Sequence, residues 1–448
     1  MGQQDVASRW HPKTIQTCTK PGRLERLSRL LRNNFAQFQI EAAPLFTLNS
    51  LPDHRQPLVP ADAALLGAPA ADEVERFLRH RPNYTPTPLH QLPALAAALG
   101  VASIAVKDEG HRLGLGSFKA LGGSYAVIRL VLEEAGRHLG RSVDVSELRD
   151  PAVRAVAAKI TVACATDGNH GRSVAQGAQF VGAQAAIFVH EGVSEERATA
   201  IARFGAHIIR AKGNYDDSVA EAARAAARNG WLTVSDTSWP GYEHIPGLVM
   251  QGYVALAREA LRDLPKPPTH VFLQAGVGGF AAAIAGHLAV LLANDRPTVT
   301  VVEPSRAACV LQSAQAGRPV RVEAGPPTVM AMLECYEPSL VAWRILSRVA
   351  DAFMAIDDAD AIAMMNRLAR PSGDDPAIVS GESGGVGLAG LASIAENASA
   401  REALKLDGHS RVLVVNTEGA TDPVRYRRFV GLDPASVAGG SGAGPQST

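Results

Sequence analysis

Short apolar runs alternate with longer segments of helical periodicity along most of the chain. The runs that predict β-strands are Ser103–Val106, Thr161–Ala165, Ala185–Val189, His207–Arg210, His270–Gln274, Thr298–Val302 and Arg411–Val415. The segments whose apolar spacing predicts helices are Ala120–Ala135, Ser173–Phe180, Ser218–Arg228 and Ala281–Leu292. Because strands that alternate with such helices indicate βαβ units, we expect an α/β fold with a mostly parallel sheet.

Both ends of the chain depart from this alternation. Residues 1–40, which include a mixed apolar and basic stretch at Ser28–Gln39, are interpreted as an N-terminal extension. Residues 436–448 are rich in Gly, Ser and Pro, so we expect a disordered tail there.

Charge and hydrophobicity limit the classes of partner. The 448 residues carry 44 Lys and Arg against 44 Asp and Glu, so the formal net charge is zero, whereas nucleic acids and anionic membranes select a basic excess. The longest apolar stretch, Ala281–Ala293, is shorter than a membrane span. Residues 1–20 lack the apolar core of a secretory signal. We therefore expect a cytoplasmic protein that binds neither nucleic acid nor membrane.

The chain has four cysteines, Cys18, Cys164, Cys309 and Cys335, and no C-x-x-C pair among them. Without that spacing we expect neither a structural zinc site nor a redox dithiol, and we assign no metal.

A lysine with apolar neighbours lies in the first glycine-rich segment, KDEGHRLGLGSFKALGGSY, at residues 107–125. Lys119 follows Phe118 and precedes an apolar helix start. An isolated lysine is most often a solvated surface charge. Burial among apolar side chains would instead lower the pKa of Lys119 and leave a nucleophilic amine, which is what a Schiff base requires.

Two further glycine segments follow predicted strands and begin predicted helices: DGNHG at 167–171 and GVGG at 276–279. Ligands of open α/β sheets bind at this carboxyl edge. The second segment can also turn successive N–H groups toward a phosphate, although it matches neither G-x-G-x-x-G nor a P-loop. Ordinary βα or packing turns are the alternatives for both segments.

Two more loop segments, SGESGGVG at 380–387 and VNTEG at 415–419, are each compatible with an ordinary loop. Considered together, a Schiff-base lysine, a phosphate nest and several loops at a sheet edge indicate one cofactor. That cofactor is pyridoxal 5′-phosphate, whose aldehyde needs a lysine and whose phosphate needs a nest.

These motifs resemble those of the fold type II, tryptophan-synthase-β-like pyridoxal-phosphate enzymes. SFK (117–119) looks like the cofactor-lysine motif of that family, DGNHG like its ring-clamping loop and GVGG like its phosphate loop. The longer matches, which point to the branch that eliminates ammonia from 2,3-diaminopropionate, are ALGGSY (120–125), SDTSWPGY (235–242), TVMA (328–331) with EP (337–338), and SGESG (380–384). The likeness extends from about residue 87 to residue 422.

The resemblance implies two open, twisted, mostly parallel sheets flanked by helices, with the cofactor between a large domain (41–119 and 239–435) and a small mobile domain (120–238). It also implies a homodimer that converts 2,3-diaminopropionate, as the D or L enantiomer or both, to pyruvate and ammonia by α,β-elimination. A serine/threonine dehydratase and a non-catalytic protein that binds pyridoxal phosphate or an amino acid are the alternatives.

The resemblance also implies roles for individual residues. The catalytic residues would be Lys119, Asp167 and Asp236, with a loop-stabilising carboxylate as the alternative role for Asp236. The residues that would hold the cofactor are Lys119, Phe118, Asn169, Gly276, Val277, Gly278, Gly279 and Thr417. The residues that would bind the substrate are Ser117, Asp167, Asp236, Glu382 and Ser383. Asn416 and Ser383 are alternatives to Thr417 as the partner of the ring nitrogen. Cys309 and Cys335 would flank the mouth of the site, as two thiols by default, with a disulfide left open.

Overall fold

Two sheets organise the residues that the structure, a computed structural model, describes: 46–82, 84–166, 168–213 and 215–440. The predicted extension at 1–40 lies outside these ranges. The strands are β1 Phe46–Leu48, β2 Leu89–Gln91, β3 Ser103–Asp108, β4 Thr161–Ala165, β5 Gln184–His190, β6 His207–Ala211, β7 Leu232–Thr233, β8 His270–Gln274, β9 Thr298–Pro304, β10 Ala352–Ile356 and β11 Arg411–Asn416.

The larger sheet has seven strands in the order β1-β10-β9-β8-β11-β3-β2, and the smaller has four in the order β6-β5-β4-β7. Only the two edge pairings of the larger sheet, β1 with β10 and β2 with β3, are antiparallel among the described strands. The predicted α/β fold with mostly parallel sheets is confirmed. Strands β4, β8 and β11 each precede a glycine segment. In this fold their carboxyl ends, and therefore these segments, lie along the carboxyl edge of each sheet.

Every predicted strand is present, and its ends lie within two residues of the prediction. The unpredicted strands are β1, β2, β7 and β10. The first three are too short to show alternation. Strand β10, AFMAI, is fully apolar and contains Ala and Met, which favour helices, so its periodicity does not distinguish a strand from a buried helical segment.

The described α-helices are α1 Pro60–Leu66, α2 Ala68–Arg79, α3 Pro93–Leu99, α4 Lys119–Leu139, α5 Pro151–Ala157, α6 Asn169–Val181, α7 Glu195–Ala202, α8 Tyr215–Asn229, α9 His244–Asp263, α10 Gly279–Leu292, α11 Cys309–Ala316, α12 Leu340–Val349, α13 Asp358–Ala369, α14 Val386–Glu396, α15 Ala398–Leu404, α16 Pro423–Val430 and α17 Pro434–Gly440. Short 3₁₀ turns lie at Glu109–Gly114, Val145–Glu147, Ala293–Asp295, Ser305–Ala307 and Ala331–Leu333.

Helices α4 and α9 cross at two glycines. A Cβ atom on Gly122 would lie 2.4 Å from the ring of Tyr253, and one on Gly252 would lie 2.8 Å from the Cα of Gly122. Only glycine permits this close approach. The crossing packs Tyr253 of α9 beside the first turn of α4, which begins at Lys119.

The small-sheet strands all lie within the predicted small domain, and the large-sheet strands all lie within the two predicted segments of the large domain. Whether the sheets belong to domains that move separately stays a prediction.

The predicted disorder of the tail is wrong for residues 436–440, which belong to α17. Val437 is buried in an apolar cluster with Tyr426 and Val430, and this contact outweighs the glycine-rich composition of the segment. Residues 441–448 lie outside the described ranges. None of the described helices combines the length and apolar character needed to cross a membrane.

Candidate active site

Lys119 and Asp236 form an ion pair between the first residue of α4 and the loop that follows β7. Their side chains are 20% and 19% exposed, so the pair is largely withdrawn from solvent. Burial opposes the charged ammonium, but the attraction of Asp236 outweighs it and raises the pKa of Lys119 above its ordinary value. Burial likewise opposes the carboxylate, but the charge of Lys119 holds the pKa of Asp236 below its ordinary value.

The expected lowering of the Lys119 pKa is therefore wrong in this structure. The apolar neighbours do bury the amine, as the sequence suggested. A carboxylate distant in sequence compensates for that burial, and a pairing across 117 residues is invisible to local sequence reasoning. Lys119 is thus held as an ammonium beside an ionised acid.

His170 and Tyr253 border this pair. The Nε2 atom of His170 donates to the carbonyl oxygen of Val234 at 2.8 Å, so its Nδ1 atom is unprotonated and lies 4.0 Å from Asp236 Oδ2. Burial lowers the pKa of His170, which keeps the ring neutral. The ring of Tyr253 packs against Phe118 with centroids 4.8 Å apart. The ion pair therefore lies between a neutral imidazole and an aromatic wall.

The predicted phosphate loop at 276–279 lies next to the ion pair. Gly278 has a φ of +91° and precedes the first residue of α10, and no side chain caps this helix N-terminus. A Cβ atom on Gly279 would lie 3.6 Å from the carbonyl oxygen of Asp236. The unpaired N–H groups and the dipole of a helix N-terminus favour an anion. An anion site thus lies beside an amine.

Thr417 connects three parts of the site. Its carbonyl oxygen accepts from the amide of Phe118 at 3.0 Å. Its hydroxyl accepts from Gln274 Nε2 at 3.0 Å and donates to the carbonyl oxygen of Ser383 at 3.3 Å. The Ser383 hydroxyl is buried and has no hydrogen-bond partner among the described residues. Which of Thr417, Ser383 or Asn416 would meet a ring nitrogen stays a prediction.

Asn169, the first residue of α6, reaches the same group of loops. Its Nδ2 atom donates to Glu418 Oε2 at 2.7 Å. Glu418 is 2% exposed and bridges by its backbone to Ser117. Burial, followed by the charge of Glu382, raises the pKa of Glu418 to about 7. Glu418 thus connects Asn169, at the start of α6, to the loop that precedes Lys119.

Glu382 lies at the edge of this group. Its Oε1 atom is 3.2 Å from Arg425 Nε, and burial raises the pKa of its carboxyl.

Asp167 lies outside the described residues, so its predicted role as a second base stays a prediction. Its neighbour Thr166 accepts through Oγ1 from the amides of Gly168 and Gly171 at 3.0 and 3.1 Å, which fixes the turn on either side.

A partly buried lysine beside an anion-binding helix start and several loops at strand ends is the arrangement expected for pyridoxal phosphate. The family model described as "Pyridoxal-phosphate dependent enzyme" matches residues 80–418. The chain belongs to this family.

Comparison with individual proteins shows which members of the family the chain resembles. The chain is 42% identical to diaminopropionate ammonia-lyase of Escherichia coli strain K12 over 80% of this chain and 90% of that protein. It is 39% identical to the enzyme of that name from Salmonella typhimurium, over 83% and 94%. It also resembles the crystal structure of the Escherichia coli enzyme in complex with an aminoacrylate-PLP azomethine reaction intermediate, with a TM-score of 0.77, 39% identity, and 86% and 96% coverage.

The described side chains and helix start around Lys119 provide partners for each polar group of pyridoxal phosphate. The uncapped start of α10 suits the phosphate, and Lys119 suits the aldehyde. Asn169 has a second amide hydrogen beyond the one given to Glu418, which suits the ring hydroxyl. Among the described residues, the buried hydroxyl of Ser383 and the amide oxygen of Asn416 lack partners at the same group of loops. Buried polar atoms without partners are costly unless a ligand meets them.

The structure brings most of the predicted residues together around Lys119. Val277 lies in the predicted phosphate loop, and its carbonyl oxygen accepts from the amide of Ser339 at 2.9 Å. Sequence reasoning missed Gln274, His170 and Glu418 as parts of the site. Gln274 lies just before GVGG, His170 lies within DGNHG and Glu418 lies within VNTEG. Their positions in or beside these motifs were the only sequence signal for a role in the site.

Cys309 and Cys335, both within the described ranges, are thiols and share no disulfide bond. Both contact the glycine loop, as predicted for residues beside the site. The Sγ atom of Cys309 is 3.6 Å from the carbonyl oxygen of Gly276, and that of Cys335 would lie 2.9 Å from a Cβ atom on Gly276.

The raised pKa of Glu418 predicts a pH-dependent stability. Folding favours the protonated acid, because its pKa rises from 4.5 to about 7. Its contribution is complete below about pH 4.5 and is lost as the pH rises through about 7, with a change of roughly 3 kcal/mol. Glu418→Gln keeps an acceptor for Asn169 and removes the charge. We therefore expect this variant to melt several degrees above the wild type at pH 8 and to have no such advantage at pH 5.

Differential scanning calorimetry of the holoenzyme at both pH values checks this expectation. The exposed substitution Glu396→Gln is the matched control, and its melting difference from the wild type should be the same at both values. A melting difference for Glu418→Gln that does not change with pH would contradict the assignment.

Proposed function

We propose that this chain catalyses the α,β-elimination of 2,3-diaminopropionate to pyruvate and ammonia with pyridoxal phosphate as cofactor. One substrate molecule and one water give one pyruvate and two ammonia. The observation that carries the proposal is the ion pair of Lys119 and Asp236 beside the anion-binding loop, in a chain 42% identical to enzymes of that name. Lys119 can carry a proton, and Asp236 beside it can bind a cation.

Each partner of the pair has a task in such a reaction. Bound pyridoxal phosphate supplies the aldehyde carbon and an electron sink for the bond that breaks at Cα. Once released from the cofactor aldehyde as a neutral amine, Lys119 would take the Cα proton of one enantiomer, and Asp236 stabilises the ammonium that results, which is the form the ion pair favours. We assign the opposite enantiomer to Asp167, as the resemblance implies.

The leaving group explains why a carboxylate is needed. An amine leaves readily only when it is protonated, so the β-nitrogen must stay an ammonium until its bond to carbon breaks. Asp236 gives one oxygen, Oδ2, to Lys119, and its Oδ1 can accept from a second cation. A hydroxyl substrate carries no such charge. Asp236 therefore favours a diamino acid over serine or threonine.

The experiment is a parallel assay with D- and L-2,3-diaminopropionate, serine and threonine, in which 2-oxo acid and ammonia are both measured. We expect turnover of at least one diaminopropionate enantiomer and two ammonia per pyruvate. Faster turnover of serine or threonine with one ammonia per 2-oxo acid would instead identify a dehydratase. Absence of product from all four would contradict the proposed activity and leave the non-catalytic binding protein as the alternative.

We also propose a homodimer, because the family resemblance implies two subunits, and a cytoplasmic location, because four cysteines without a C-x-x-C pair in 448 residues suit a reducing compartment. Light scattering of the holoenzyme tests the assembly, and a monomer mass would contradict it.

A further inference from the structure

A second pocket lies away from the site around Lys119. It has a volume of about 380 Å³ and lies between α6, the loop that follows α2 and the 3₁₀ turn before the lysine loop. Arg81, His111, Gln176 and Phe180 are among the residues that line it. No Asp or Glu occurs among the described residues of its wall.

Arg81 is the unusual member of this wall. It is 7% exposed, yet no described carboxylate forms an ion pair with it. Its Nη2 atom donates to Gln176 Oε1 at 2.5 Å, and its guanidinium lies 4.6 Å from the centroid of the Phe180 ring. Its Nε and Nη1 atoms have no hydrogen-bond partner among the described residues.

A buried cation without a counter-charge is costly, so such groups are normally paired. Consistent with this cost, burial alone lowers the pKa of Arg81 to about 10, because no nearby acid compensates. The other buried arginine of this region, Arg112, shows the usual arrangement, since it pairs with both Glu109 and Glu259. Arg81 thus differs from its neighbour in lacking an acid, while it faces a pocket.

We infer that this pocket binds a small oxyanion, a carboxylate or a phosphate, which completes the hydrogen bonding of Arg81. Guanidinium groups favour these anions because their planar N–H donors match oxygen acceptors, and bonds to charged groups are the stronger kind. Gln176 fixes the guanidinium from one side and donates through Nε2 to the carbonyl oxygen of Leu113 at 3.1 Å. The pocket is therefore built from two segments that also lead into the cofactor site, α6 from Asn169 and the loop to Lys119.

The test is calorimetric titration of the holoenzyme, saturated with cofactor, with inorganic phosphate and separately with acetate and pyruvate. We expect the wild type to bind at least one of these anions and Arg81→Met to bind it roughly 10- to 100-fold more weakly. Arg79→Met is the matched control, because Arg79 is the last residue of α2, two positions before Arg81, and its side chain is 74% exposed. It should bind like the wild type.

Absence of anion binding by the wild type, or equal binding by Arg81→Met, would overturn the inference. If Arg81→Met does not fold, wild-type crystals soaked in selenate decide the matter. An anomalous peak within hydrogen-bond distance of Arg81 supports the site, and its absence there refutes it. Neither measurement depends on which amino acid the enzyme consumes.

Discussion

Replacing Lys119 with alanine is expected to remove both turnover and the visible absorbance of the bound cofactor. Among the described residues, Lys119 is the lysine whose side chain forms an ion pair with Asp236, next to the loop that begins α10. Loss of a general base alone costs roughly 10²- to 10⁴-fold, and loss of the attachment to the cofactor adds to it. Steady-state assays and absorbance spectra of the purified variant measure both effects.

Lys159→Ala is the control for this variant, because Lys159 is exposed two residues before β4 and its replacement should leave both readings unchanged. Retention of absorbance and turnover by Lys119→Ala would show that another group binds the cofactor. Removal of the ammonium also leaves Asp236 in a largely buried position without its cation, so the pKa of Asp236 should rise.

Asp236→Asn is the second change with a large expected effect. The amide keeps the shape of the side chain but cannot stabilise an ammonium. We expect turnover of diaminopropionate to fall by roughly 10²- to 10⁴-fold. A smaller loss is expected with β-chloroalanine, because chloride leaves without a proton and needs no carboxylate beside it.

Comparison of kcat for the two substrates separates a role at the leaving group from a merely structural one. Asp263→Asn, an exposed position at the end of α9, is the matched control and should leave both rates unchanged. Equal losses on the two substrates would show that Asp236 acts only by holding Lys119. Wild-type rates of Asp236→Asn on both diaminopropionate and β-chloroalanine would show that Asp236 has no role in the reaction.

The sequence alone predicted the parallel α/β architecture and the cofactor, because these depend on local signals. Strands such as Thr161–Ala165 and His270–Gln274 are short apolar runs followed by glycine turns, and their observed limits match the prediction. The segments SFK and GVGG carry their chemistry within a few residues. The start of α10 at Gly279 follows from such a segment as well.

The tertiary structure decided what depends on contacts between distant residues. The pairing of Lys119 with Asp236 reverses the expected pKa shift, because an opposite charge outweighs desolvation. Glu418 and Gln274 belong to the site through hydrogen bonds to Asn169 and Thr417, which are distant in sequence. Arg81 is notable because two of its buried nitrogen atoms have no partner among the described residues. Only the tertiary structure shows either property. Local sequence patterns report which backbone will form, whereas the charge state of a buried side chain is set by whatever the fold places next to it.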